Sequence, residues 1–502
     1  MKKSLYLAFL FVFYVVLFAA EAIDVRKHLS TVTRYDVARG FANEALGTSS
    51  NPIGCTAVHL NLLARHGTRS PTKKRIKELD RLAIRLATLL NDAKAEQKAL
   101  EQKVPDWLRG WTSPWKGKPK GGELISIGEE ELYHLGVRTR ERFPQLFNEE
   151  YHPEVFSIRA TQVPRASASA VAFGMGMFSE KGSLGPGKNR AFSVISETRA
   201  SDIWLRFYDT CKTYKEFRES REPDVNKFKE PIFYEISSAL FTRYHLNFTC
   251  QDVSSLWFLC KQEASLLDIT DQACSLFNPS EVALLEWTDD LEVFLLKGYG
   301  NSLNYHMGAP LLQDVILSME QAIVAKEENH APGTFEKARL RFAHAETIVP
   351  FTCLLGLFIE GSELDKIQRD EPLDFPVKPP KERNWRGSAI APFAGNNMLV
   401  LYQCPANISK SNKGNRSKYF VQVLHNEAPV TLPSCGNADL CPFDVFKERA
   451  IGPHLKHSYE MLCNPKTGTS EPSSIHSKVW KLLHWLFSRE NKQKTHKLKA
   501  EL

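Results

Sequence analysis

The segment Arg65-His66-Gly67-Thr68-Arg69-Ser70-Pro71 constrains this chain more than any other. It sets one histidine between two arginines, with a glycine beside it. A pair of fixed guanidinium groups can neutralise the oxygens of a bound phosphate, and their fork matches its geometry. Charge drawn away from a phosphorus centre would let a neutral imidazole attack it. Gly67 allows the backbone to come close to a bound anion. The five fixed letters of R-H-G-x-R-x-P arise by chance in roughly one chain of this length in ten thousand, which makes a plain basic surface loop the weaker reading.

The surroundings fit an α/β frame. Val58, Leu60 and Leu62 alternate with His59, Asn61 and Leu63, which predicts a strand running into Arg65. Pro71 closes the loop. A long helix is predicted next, with Ile76, Leu79, Leu82, Leu86 and Leu89 at helical spacing. Strand, loop, helix is the arrangement in which ligands sit outside the carboxyl ends of strands. Lys73, Lys74, Arg75 and Lys77 open that helix against its macrodipole. A polyanionic ligand would favour them there, and a solvated helix start is the alternative. Thr68, Lys73 and Lys74 are the substrate-specificity candidates.

R-H-G-x-R-x-P resembles the signature of the histidine acid phosphatases. The resemblance implies that His66 becomes a phosphohistidine while Arg65, Arg69 and a third arginine hold the phosphate. Val155 to Arg159 reads as a strand, and a small-residue helix follows Pro164. Arg165 would then lie at a helix N-terminus, where backbone N–H groups also favour anions. Arg159, at the strand end, is the competing reading. The pair looks like the family's two arginines in this segment, of which the later binds phosphate.

A carboxylic acid after a second histidine protonates the leaving alcohol in that family. Most members carry His-Asp. Here the segment is His344-Ala345-Glu346-Thr347, one residue and one methylene longer. This variant resembles the multiple inositol polyphosphate phosphatases, the branch that hydrolyses phytate and its lower esters. The resemblance assigns His344 to the phosphate and Glu346 to the acid. A strand is predicted before His344 and a helix after it, with Pro350 in the first turn. Gly122-Glu123-Leu124, Gly136 to Phe143, Trp385 to Ser388, Pro392 to Asn397, Val423 to Glu427 and Cys441-Pro442-Phe443 also look like family segments. Those at 385–388 and 392–397 would be strands flanking the late core. His425 and Glu427 lack a third ligand with usable spacing and are read as structural. Neither a metal nor another cofactor is expected, because arginines supply the charge that metals supply elsewhere.

Residues 1–22 read as a signal peptide: Lys2 and Lys3, an apolar run, then Ala20-Glu21-Ala22. Ten cysteines and the sequons at Asn247, Asn407 and Asn415 suit an oxidising lumen. The family resemblance suggests pairs Cys55 with Cys404 and Cys435 with Cys441. The net charge of +7 is concentrated toward the tail, so no nucleic-acid partner is implied. No segment after the signal is long and apolar enough to span a membrane, and a monomer is expected. The last four residues, Lys499-Ala500-Glu501-Leu502, resemble a degenerate K-D-E-L signal, leaving the extracellular space, a vacuole and the ER lumen as destinations.

The two motifs lie far apart in sequence and must meet. The chain is therefore expected to build a phosphoglycerate-mutase-like, doubly wound α/β domain from residues 45–200 and 325–465. Residues 201–324 would form a mainly helical insertion over the active site, with helices in the aromatic runs 203–214 and 284–299. Residues 466–502 would be a basic C-terminal helix and tail. The function expected is removal of phosphates from inositol polyphosphates. The alternatives are a broad-specificity acid phosphatase, a bisphosphoglycerate phosphatase, and a non-catalytic relative that only binds inositol phosphates.

Overall fold

A computed structural model describes residues 23–46, 52–96, 104–118, 120–359, 379, 382–405, 417–456 and 458–464. The predicted signal segment 1–22, the sequons at Asn407 and Asn415, and the predicted tail lie outside these residues; Asn247 lies within them, just before a helix. The chain order is α1 (Tyr35–Leu46), β1 (Thr56–Arg65), α2 (Lys73–Glu96), α3 (Ser126–Arg142), β2 (Phe156–Ala160), α4 (Pro164–Met177), α5 (Lys212–Tyr244), α6 (Cys250–Gln262), α7 (Pro279–Lys297), α8 (Ala309–Glu327), β3 (Ala338–Ala343), α9 (Ala345–Leu354), β4 (Asn396–Gln403), β5 (Tyr419–His425), β6 (Ala428–Val430) and β7 (Cys441–Pro442). Short helical turns lie between these elements.

The strands form one mixed sheet in the order β2-β3-β1-β4-β5-β6, with β7 paired to β5. β2, β3 and β1 are parallel, and β4 onward is antiparallel. β1 is buried along nearly its whole length, because helices cover both faces of the sheet. Leu60, Leu62 and Ala64 pack with residues of α3 and α4, such as Leu132 and Phe173. Leu63 packs with residues of α8 and α9, such as Val315 and Ile348. Val58 joins the second group, against the simple alternation. A register shift between Ala57 and His59 opposite β4 is a bulge, which sets Val58 and His59 on the same side.

His59 and Asn61, in the middle of this buried strand, are both paired. His59 Nε2 lies 3.0 Å from Glu336, and Asn61 bonds Ser318 of α8 and receives Arg341 at 2.9 Å. These bonds let polar groups occupy the middle of a sheet without the cost of an unmade hydrogen bond.

α2 turns its apolar face away from the sheet. Ile76, Leu79, Leu82, Leu86 and Leu89 share a core with Leu240 of α5, Val253 and Leu256 of α6, and Leu285 of α7. The run 203–214 is not one helix: Ile203 to Leu205 form a turn, Phe207–Thr210 a single helical turn, and α5 begins at Lys212. Trp385 to Ser388 do not form a strand either, since Gly387–Ile390 is a short helix, and of 392–397 only Asn396 and Asn397 enter β4.

Disulfides join Cys55 to Cys404, Cys211 to Cys463, Cys260 to Cys274, and Cys435 to Cys441; Cys250 and Cys353 are free. Such bonds suit an oxidising compartment. Among the described residues no helix is long and apolar enough to cross a membrane. Cys55–Cys404 ties the start of β1 to the end of β4 across 349 residues of sequence. Replacing both cysteines by serine should lower stability by about 2–4 kcal/mol in chemical denaturation, leaving the helical core around α2 and α6 folded at the concentration where the sheet melts.

Candidate active site

The three parallel strands end at one edge of the sheet, and each delivers part of the site as it leaves. The His66 N–H donates to the Ala343 carbonyl at 3.0 Å, and the Thr161 N–H donates to Phe342 at 3.1 Å. His344 directly follows Ala343. Backbone pairing alone therefore brings 66, 161 and 344 side by side, and the His66 and His344 rings stand 5.4 Å apart.

His66 is buried, and its Nδ1 lies 2.9 Å from the Gly67 carbonyl oxygen. A carbonyl can only accept, so Nδ1 carries the proton and Nε2 keeps its lone pair. Burial first, then the charges of Arg65, His344, Arg165 and Arg69, hold its pKa well below the usual value. The imidazole is neutral, with one nitrogen free.

Three arginines surround it. Arg65 donates to the Thr31 and Ala391 carbonyls and stacks over Phe393 at 4.5 Å. Arg69 donates to the Ser70 carbonyl at 2.8 Å, and Arg165, from the first turn of α4, lies 3.5 Å from the Gly122 carbonyl. None of the three has an ion pair among the described residues, and all three Nε atoms are buried without a protein partner. Burial and mutual repulsion push Arg65 down to about 9 and Arg69 down to about 10. Guanidinium groups this crowded and this poorly neutralised have the chemistry to hold an anion.

His344 caps α9 in an extended conformation. Its Nε2 lies 2.9 Å from the Thr161 hydroxyl and its Nδ1 3.4 Å from Arg165. An arginine only donates, so in this arrangement Nδ1 accepts and Nε2–H is shared with Thr161. Burial, then Arg165, push its pKa down to about 3. Glu346 follows in the first turn of α9, where Lys297 of α7 reaches it at 3.0 Å. Burial raises its carboxyl, but Lys297 and His344 outweigh that and hold it far below the ordinary range. Pro350 lies in the second turn rather than the first, because α9 begins at Ala345, directly after the cap. Its missing N–H leaves the Glu346 carbonyl without the usual helical bond.

The loop between β1 and α2 is held by its neighbours. The Thr68 N–H and hydroxyl both donate to Glu131 of α3, at 2.7 and 2.9 Å. A Cβ on Gly67 would run into the Gly128 backbone, and one on Gly128 into Thr68. Gly67 N–H donates to Ser169 of α4 at 3.1 Å, and Ser70 N–H to the Glu123 carbonyl at 2.9 Å.

The family of the chain can be read independently of this geometry: residues 58–426 match the histidine phosphatase superfamily, branch 2. The chain belongs to that superfamily. Multiple inositol polyphosphate phosphatase 1 of Homo sapiens is 26% identical over 390 residues, covering 75% of this chain and 76% of that protein. The namesake from Dictyostelium discoideum is 25% identical over 449 residues, covering 79% of this chain and 66% of its own length. A thiamine-repressible acid phosphatase of Schizosaccharomyces pombe is 26% identical over 427 residues, covering 82% and 83%. In fold, the chain resembles the phytase from D. castellii (TM-score 0.62, 18% identity, 90% and 89% covered). It also resembles a multiple inositol polyphosphate phosphatase of Bifidobacterium longum solved with inositol hexasulfate (TM-score 0.59, 17% identity, 85% and 98% covered).

In this histidine phosphatase the motif residues His66, Arg65, Arg69, Arg165, His344 and Glu346 meet at the strand ends. Arg159 serves elsewhere: with Arg341 and Arg339, its charge helps hold the Asp314 carboxyl below the usual range, against burial. Lys73 and Lys74 lie exposed in the first turn of α2. Thr68 is fully buried, and its N–H and hydroxyl both donate to Glu131, so its polar atoms support the loop. Sequence reasoning missed Glu131, Thr161, Tyr208, Phe393 and Lys297. Tyr208 stands edge-on to His344 at 6.5 Å. Phe393 lies in the family-like segment 392–397 without a role assigned to it, and Thr161, two residues past the predicted strand, had a positional signal; the other three carry no motif.

Thr68→Val should therefore act on stability, not specificity. It should cost about 1–3 kcal/mol, the penalty of an unmade buried bond at Glu131. The ratio of kcat/KM between any two phosphomonoesters should stay unchanged, and a changed ratio would return Thr68 to the substrate contacts.

Proposed function

We propose that this protein is a phosphomonoester hydrolase that removes phosphates from phytate and lower inositol polyphosphates through a phosphohistidine. The observation that carries this reading is a neutral, buried His66 with a free Nε2, set among three guanidinium groups whose Nε atoms have no protein partner. The names of the human and Dictyostelium relatives support the substrate class.

In the first half-reaction His66 Nε2 attacks phosphorus, and the bond from phosphorus to the inositol oxygen breaks. Arg65, Arg69 and Arg165 take up the charge on the phosphoryl oxygens, where preformed donors are most effective. The Gly67 carbonyl keeps the Nδ1 proton as the ring becomes positive. His344 can join the donors if Thr161 turns its hydroxyl toward Nε2, which moves the proton to Nδ1. Glu346 gives its proton to the leaving oxygen. In the second half-reaction Glu346, now a carboxylate, takes a proton from water as the water attacks phosphorus. The bond from Nε2 to phosphorus breaks, and inorganic phosphate and neutral His66 result.

The fission-yeast relative named an acid phosphatase favours broad monoester hydrolysis as the second reading. A purely binding relative would have no need of a titrating carboxylate beside the phosphate cradle. The four disulfides support a secreted or lumenal site of action, where the chain would work as a monomer.

Glu346→Gln tests the acid. An inositol alcohol is a poor leaving group, so phosphoenzyme formation from phytate should slow by about 10²–10⁴ in rapid-quench measurements. Formation from p-nitrophenyl phosphate, whose phenolate leaves unaided, should slow far less. Equal losses on both substrates would remove Glu346 from the acid role. Phytate turnover no better than that of simple monoesters in the wild type would favour the second reading.

A further inference from the structure

Lys297 belongs to no motif, and it makes the closest charged contact to Glu346. It sits in the last turn of α7, where a helix C-terminus favours a cation. Its ammonium lies 3.0 Å from Glu346 Oε1, with side-chain exposures of 13% and 29%. Behind it, Glu292 of the same helix senses its charge and is paired with Lys229 of α5, which holds Glu292 down to about 2. Lys297 thus pairs with Glu346 on one side and lies within the field of Glu292 on the other. Charges alternate outward from the site: Glu346, Lys297, Glu292, Lys229.

We propose that Lys297 is a positioning residue that holds Glu346 in its base form in the empty site, so that the negative charge of a polyphosphate substrate is what loads the acid with its proton. This rests on the phosphatase reading above. The geometry supports it because the groups whose electrostatics are linked to Glu346 are cations, a histidine and tyrosines. From the β1 loop come Arg65 and Arg69, from α4 Arg165, and from α7 Lys297. His344 lies at the head of α9. The turn at 207–210 brings Tyr208 and α5 brings Tyr214, both raised above their usual pKa values by burial first and by the charge of Glu346 among other causes. α5 also brings Arg218, where burial lowers the pKa but the charges of Tyr214, Glu346 and Glu222 outweigh it and raise it. The short helix Leu303–His306 also packs on α9, but its His306 is paired with His454 at 3.2 Å.

A carboxylate among so many cations releases its proton readily. That suits the second half-reaction, in which Glu346 must accept a proton from water. It opposes the first, in which Glu346 must hold one. A bound phosphate neutralises the three arginines, and further phosphates on the same ring add negative charge near the Lys297 pair. Both effects raise the carboxyl and let it take up a proton from solvent before phosphorus is attacked. A multiply phosphorylated ring does this better than a monoester, so the pair converts substrate charge into selectivity.

The test compares the pH dependence of kcat on phytate for wild type, Lys297→Met and Lys297→Arg, with melting temperatures to confirm folding. Removing the cation should raise the pKa of Glu346, so both limbs of the bell should move to higher pH by about one to three units in Lys297→Met. Lys297→Arg should restore the wild-type position. A lower amplitude with an unmoved bell in folded Lys297→Met would overturn the proposal, as would an equal shift in Lys297→Arg.

Proton uptake on binding inositol hexasulfate, whose sulfates do not titrate, gives a second readout should Lys297→Met fail to fold. Calorimetry in buffers of different ionisation enthalpy should show about one more proton taken up by wild type than by Glu346→Gln. Equal uptake in both proteins would also overturn it. Absence of any phosphate release by the wild type would instead sink the phosphatase reading, which separates the two failures.

Discussion

The structure depends on keeping three guanidinium groups crowded around one neutral histidine. Like charges at this spacing repel, and burial makes the repulsion worse. Among the described residues no carboxylate pairs directly with any of the three, and only the more distant charge of Glu346 reaches them all, whereas elsewhere Arg339 and Arg341 share Asp314, and Arg383 and Arg386 share Glu286. The fold uses carbonyl dipoles instead, from Thr31, Ala391, Ser70 and Gly122, and the ring of Phe393. Neutral partners hold the arginines in place without spending their charge. What remains is available to an anion, and the same field keeps His66 unprotonated and nucleophilic.

Much of the surrounding architecture holds that cluster steady. Three parallel strands end together, so His66, Thr161 and His344 are placed by main-chain bonds. α3 grips the loop through Glu131, and Gly67 and Gly128 let the two backbones touch. The helices of the insertion then add what the sheet lacks. They bring Tyr208 against His344 and Lys297 against Glu346, which makes the proton state of the acid depend on a segment remote in sequence from both motifs.

The cradle was legible in the sequence because its chemistry is local. Arg65, His66 and Arg69 lie within one loop after an alternating strand, and Pro164 marked the helix that carries Arg165. What escaped reading was set by contacts between distant segments. The bulge that turns Val58 over is a property of the β1–β4 pairing, not of β1. α2 reads as a helix on a sheet, yet its apolar face meets α5, α6 and α7, and periodicity does not say which partner buries a face. Thr68 looked like a substrate contact from its place in the motif; only Glu131, 63 residues on, shows why it points inward. Lys297 ended an unremarkable helix, and nothing in its neighbours named Glu346 as its partner.

The central claim is that the field of Arg65, Arg69 and Arg165 makes His66 the nucleophile. The direct measurement is to mix the enzyme with radiolabelled phytate for milliseconds, quench in alkali, and map the bound phosphate by peptide mass spectrometry. The account predicts a label on the peptide containing His66, stable in alkali and released by acid, on the imidazole nitrogen not bonded to Gly67. Product formation with no labelled protein at any time, or a label on another residue, would contradict it.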